Sequence, residues 1–179
     1  MDRELQKEWR TLEEEAVALL RKYDDSDPGF VVDATLLVLP SFEDCWAYSI
    51  LRSVRDSEVP AKGQRRVWRR TVDLQKFENP IARLKHGGRL APTIERSKKD
   101  VPRSSALALL DRVVSSRLPP FTLKRSLGTD GTSYEVSFGH AFISSHFCWW
   151  ESPPEGWQPL ERFVGDVRAL VDAAVGGAG

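Results

Sequence analysis

Apolar residues recur at three- and four-residue steps at the start of the chain: Leu5, Trp9, Leu12, Ala16, Leu19, Leu20 and Tyr23. That spacing draws one apolar stripe and predicts an amphipathic helix over residues 1–23. Glutamates crowd its first half and Arg21 and Lys22 close it, the order that suits the helix dipole. "DDSDPGF" ends it, with Pro28 and Gly29 as breakers.

The period then shortens to two. "FVVDATLLVLP" is rich in β-branched residues and leucine and predicts a strand ending at Pro40. In "SFEDCWAYSILRSV", Ser41 and Asp44 have the spacing of a helix cap, but Trp46, Tyr48, Ile50 and Val54 alternate with Ala47, Ser49 and Ser53. The alternation favours a strand over 41–54. "RRVWRRTVDLQKF" predicts a third strand with Trp68, Val72 and Leu74 on one face. "NPIARLKHGG" reads as a short helical turn, and "PTIERSKKDVP" as a polar edge strand or a connection. Ser104 or Ser105 then caps a helix, "ALALLDRVVSSRL", with Leu107, Leu110, Val113 and Val114 as its core stripe.

The last third has the clearest pattern. "FTLKR", a turn at "GTDGT", "YEVSF" and "HFCWW" predict three strands in a meander, with Asp130-Gly131 as the turn signal. Alternation turns Phe121, Leu123, Tyr134, Val136, Phe138, Phe147 and Trp149 inward. Thr122, Lys124, Glu135, Ser137, His146, Cys148 and Trp150 face the other way. Pro159 opens a closing helix whose face is Leu160, Phe163, Val164, Val167, Leu170 and Val171. Trp157 is expected to pack on its first turn. The fold expected is one α+β domain over residues 1–175, a mostly antiparallel sheet of about five to seven strands with helices chiefly on one face, and a short 176–179 tail.

Charge narrows the partners. The 26 Lys and Arg balance 26 Asp and Glu, so no overall field draws the chain to nucleic acid or an anionic membrane. No apolar run, Leu36 to Leu39 among them, approaches the length of a membrane span, and the charged opening segment has no signal-peptide pattern. Two cysteines, Cys45 and Cys148, make no disulfide framework, and the setting expected is reduced and cytoplasmic. The densest local charge is "QRRVWRR", where Arg65, Arg66, Arg69 and Arg70 around Trp68 offer a nucleic-acid reading. Strand alternation would divide those arginines between two faces, which weakens it. His140, His146 and Cys148 offer a metal reading, yet lack the tight pairs of zinc sites. With no nucleophile elbow, metalloprotease helix or phosphate loop, no catalytic residue, metal or cofactor is expected.

One further pattern is a likeness. "LVLPSFEDCWAYSILR", "VWRRTVDLQKF", "RLPPF", "DGTSYEVSFG" and "HFCWWESPPEGWQPL" follow one another in the order found in small bacterial α+β proteins. Those proteins carry a DG-T-x-Y-E hairpin and a Trp-ended strand leading through P-x-x-W into a last helix. The match rests on Asp130, Gly131, Thr132, Tyr134, Glu135, Trp149, Trp150, Pro154 and Trp157, and spans about Phe30 to Val171. Some of the proteins it resembles look like immunity proteins of bacterial toxin systems. The resemblance implies a non-catalytic protein that binds a toxin or enzyme. On that reading Trp150 is the anchor, ringed by Glu151, His146, Glu135 and Lys124.

Overall fold

A computed structural model describes residues 3–22, 28–85, 90–119, 130–140 and 143–176. Among these residues six antiparallel strands form one sheet in the order β4-β3-β2-β1-β5-β6. They are β1 (Phe30–Pro40), β2 (Cys45–Ser53), β3 (Ala61–Trp68), β4 (Ile94–Val101), β5 (Thr132–His140) and β6 (Ile143–Trp150). The helices are α1 (Arg3–Arg21), α2 (Arg70–Glu78), α3 (Pro80–Lys85), α4 (Arg103–Val114) and α5 (Gln158–Gly176). No helix is long and apolar enough to cross a membrane among these residues.

The sequence of β1 explains its central place. Its apolar residues are nearly continuous, so both faces can be buried, and it pairs with β2 on one side and β5 on the other. Leu36 and Val38 enter one core with Tyr48, Ile50, Val136, Trp149, Leu160, Phe163, Val167 and Val171. Leu37 enters the other with Trp9, Leu12, Ala16, Leu20, Ala47, Trp68 and Phe77. Helices α4 and α5 therefore share one face, in keeping with the apolar pattern. Helix α1 takes the reverse face, packed mainly on β2, β3 and β4.

Two expectations are corrected. The third strand stops at Trp68, and residues 70–78 turn into α2. Val72 and Leu74 are exposed, while Asp73 and Phe77, four apart, face inward. Asp44 supports the first turn of α2 by accepting the Thr71 N–H at 3.2 Å. The α4 stripe is also rotated: it buries Ala106, Leu109 and Val113, and leaves Val114 79% exposed. Arg103 fixes that rotation, its guanidinium donating to the Ser53, Asp56 and Val59 carbonyls.

The inward set of β5 and β6 packs as the alternation required. Tyr134 stacks on Trp149 with centroids 5.3 Å apart, and Trp157 stands edge-on to Phe147 at 5.2 Å. The Trp157 indole N–H donates to the Pro119 carbonyl. The expected strand "FTLKR" and the 177–179 end lie outside the described residues.

Candidate partner-binding face

Because α1 packs mainly on β2 to β4, the same face of β5 and β6 is left partly open, with Arg21 at the end of α1 reaching across to Glu135. Cross-strand register sets Ser133 beside Trp150, Glu135 beside Cys148 and Ser137 beside His146. His146 and Cys148 are exposed and Trp150 is half-buried. Lys124 and the side chain of His140 lie outside the described residues. Of the expected anchor group, the fold thus brings Trp150, Glu151, Glu135 and His146 onto or beside one shelf.

A groove of about 470 Å³ separates this shelf from α1 and the end of β1. Glu13 and Val17 form one wall, Leu39, Cys45 and Trp68 line it deeper, and Phe42, Ser133 and Trp150 complete it. Several contacts hold its rim. Ser41 donates its N–H and its hydroxyl to the Gly131 carbonyl, both at 2.9 Å. The Gly131 N–H returns to Ser41 Oγ at 3.1 Å. Arg70 donates to the Pro40 and Ser41 carbonyls and to Glu13, tying α1 and α2 to the loop.

Gly131 explains why the turn reads Asp-Gly. Its φ is +152°, and a Cβ there would stand 2.9 Å from Trp150 Cζ2 and would run into the Glu151 carboxylate. The indole and the carboxylate both occupy the space a side chain would need. Glu151, itself at φ 56°, accepts the Thr132 N–H at 2.5 Å and donates its own N–H to the Thr132 carbonyl at 2.8 Å. Trp150 is therefore held at the shelf's edge against a glycine backbone.

Sequence position alone does not single out Phe42, yet it is 74% exposed on the groove. The one signal it carries is that of an aromatic residue in the loop just after a strand that ends in proline.

The rest of the shelf is polar. Arg21, from the end of α1, donates to both Glu135 oxygens at 2.6 and 3.3 Å. His146 Nδ1 lies 2.8 Å from Ser137 Oγ, and its Nε2 lies 2.9 Å from Cys148 Sγ. Partial burial and the Glu135 carboxylate push the Cys148 thiol up, with Arg21 opposing them. Cys45 is only 2% exposed, and burial pushes its thiol up to about 12. No three His, Cys, Asp or Glu side chains gather as a metal site among the described residues.

The basic strand does not form the aromatic-bearing patch that a nucleic-acid groove needs. Trp68 is 1% exposed, and its N–H donates to Asp73 at 2.9 Å, so no base can stack on it. Arg65 turns to the α5 side and pairs with Asp172 at 2.9 Å. Arg66 is wholly buried, donates to the Lys22 carbonyl and Ser49 Oγ, and is brought down to about 10 by that burial. Arg69 bridges Asp44 and Glu95 at 3.1 and 2.6 Å, and Arg70 meets Glu13. The physical reason is alternation: β3 sends neighbouring arginines to opposite faces, and each meets an acceptor from another element.

No family model matches the chain, and no curated protein or solved structure does either.

Proposed function

We propose that the protein works by binding another protein through the β5–β6 shelf and its groove, as an immunity protein or dedicated inhibitor of a toxin or enzyme does. The observation that carries this reading is the pair of aromatic residues on one groove. Phe42 is mostly exposed, Trp150 is half-buried, and both sit on backbone that Ser41, Gly131 and Glu151 hold in place. Aromatic side chains carried beside an open groove on backbone that is already held give a partner area to cover with little ordering of the chain. The charged groups nearby, Arg21, Glu135 and Glu151, supply a polar rim. The likeness to bacterial immunity proteins supports the same direction. A reduced cytoplasmic setting fits it, since both cysteines are free thiols.

The test is capture from host lysate with the tagged wild-type chain and with Trp150→Ala and Phe42→Ala. The expected result is one stoichiometric protein partner, bound about 2 kcal/mol more weakly by each variant, roughly a thirtyfold rise in Kd. Circular dichroism and melting checks that the variants remain folded. A partner held equally well by the folded Phe42→Ala protein sinks the reading. Recovery of nucleic acid instead sinks it too, and steep salt dependence would identify that outcome.

A further inference from the structure

The shelf carries a thiol, an imidazole and a hydroxyl in one row, and protein binding makes no use of that order. Cys148 and His146 are two apart on β6, so strand periodicity puts both on the exposed side. Ser137 stands opposite His146 on β5. With the proton on Nδ1, that N–H donates to Ser137 Oγ at 2.8 Å, and the Nε2 lone pair faces the Cys148 sulfur 2.9 Å away. A thiol, a base within reach and a third group that orients the base is the arrangement of an activated nucleophile.

We propose that Cys148 is a thiol–disulfide exchange site, with His146 as its base, that takes up a low-molecular-weight disulfide and keeps half of it as a mixed disulfide. The S–H proton passes to His146 Nε2 as the sulfur attacks one sulfur of the incoming disulfide. A new S–S bond forms and the old one breaks. The departing thiolate takes the proton back from the imidazolium. One thiol and one disulfide enter, and one thiol and one mixed disulfide leave, so no further oxidant is needed.

The surroundings set what the base must overcome, and they set the end point. The charged groups facing Cys148 are Glu135 from β5 and Arg21 from α1, and they are paired with each other. They raise and lower the thiol in opposition, while burial raises it. Unassisted thiolate is therefore scarce at neutral pH, and a neighbouring base makes the difference. Cys45 is no resolving partner. It lies on β2, three strands from β6, a separation of about 14 Å at the usual strand spacing. A disulfide needs Cα atoms within about 7 Å, so the adduct on Cys148 persists until an outside thiol removes it.

The inference does not depend on the partner-binding reading, and its test is chemical. Full-length protein is incubated with glutathione disulfide across neutral and mildly alkaline pH, and adduct formation is followed by intact mass. Wild type is expected to gain one adduct, at Cys148, already at neutral pH. His146→Gln is expected to slow the reaction at least tenfold at neutral pH and to make its rate climb more steeply toward alkaline pH, as that of an unassisted thiol does. Ser137→Ala, which removes the positioning hydroxyl, is expected to slow it less. Cys148→Ser should abolish the adduct. Equal rates and equal pH profiles for wild type and His146→Gln would overturn the proposal, as would no adduct at Cys148. Should His146→Gln fail to fold, an unchanged profile in Ser137→Ala would overturn it as well.

Discussion

Asp73 shows how one side chain organises several pieces of chain. Its carboxylate is almost wholly buried and accepts from the Trp68 indole at 2.9 Å and the Thr93 N–H at 2.7 Å. It also accepts from the Thr93 hydroxyl at 2.6 Å and Lys76 at 3.1 Å. It thereby joins β3, α2 and the segment leading into β4. Asp73→Ala leaves those donors buried without an acceptor, and the expected loss is about 3–5 kcal/mol in urea unfolding. Asp73→Asn keeps one acceptor oxygen and should lose less. At this scale the C-terminal third is legible in the amino-acid pattern: the inward order of Tyr134, Val136, Phe138, Phe147 and Trp149 follows from alternation alone. Asp73 is not legible, because the neighbouring Trp68 and Val72 suggest a strand that continues. Two of the bonds that show the carboxylate to be buried by design come from Thr93, twenty residues further along the chain.

At the scale of elements, the docking of α5 on the sheet depends on a missing side chain. Gly63 on β3 lies under that helix, and a Cβ there would stand 2.9 Å from Val171 Cγ2 and 3.1 Å from Val101 Cγ1. Gly63→Ala should force the helix outward and cost about 1–3 kcal/mol in thermal or urea unfolding. Val171→Ala should recover part of that loss in the double variant, a coupling that two independent destabilisations would not show. The periodicity of α1 and α5 reveals their buried faces because each runs for 19 residues and repeats its signal. Helix α4 has only 12 residues and apolar side chains around much of its circumference. Its rotation is decided by Arg103 reaching the β2–β3 connection, a contact that no local pattern contains.

For the whole molecule, the sheet order explains where a partner could find room. One face is covered by α4 and α5, and α1 covers mainly the β2–β4 part of the other. The far edge, β4, carries Glu95, Arg96, Lys98, Lys99 and Asp100, charges that discourage another strand from pairing there. The shelf is half legible in the sequence. Alternation names its polar row and Trp150, but the groove needs Phe42, Val17 and Leu39, from other parts of the chain, to be brought beside them.

The position of β1 also sets an order of assembly. Strands β1 to β4 are neighbours in sequence, as are β5 and β6, but β5 reaches β1 only across the chain between residues 40 and 132. Closing so long a loop is slow compared with forming hairpins, so the β1–β5 seam should form late in folding. Val136→Ala, a buried change on that seam, is then expected to speed unfolding far more than it slows folding in stopped-flow chevrons. The groove straddles the same seam, with Leu39 on one side and Ser133 and Trp150 on the other. If the groove is the docking site proposed above, a nascent chain has no such surface until its last strands dock, and a bound partner acts as a clamp across the joint that opens first.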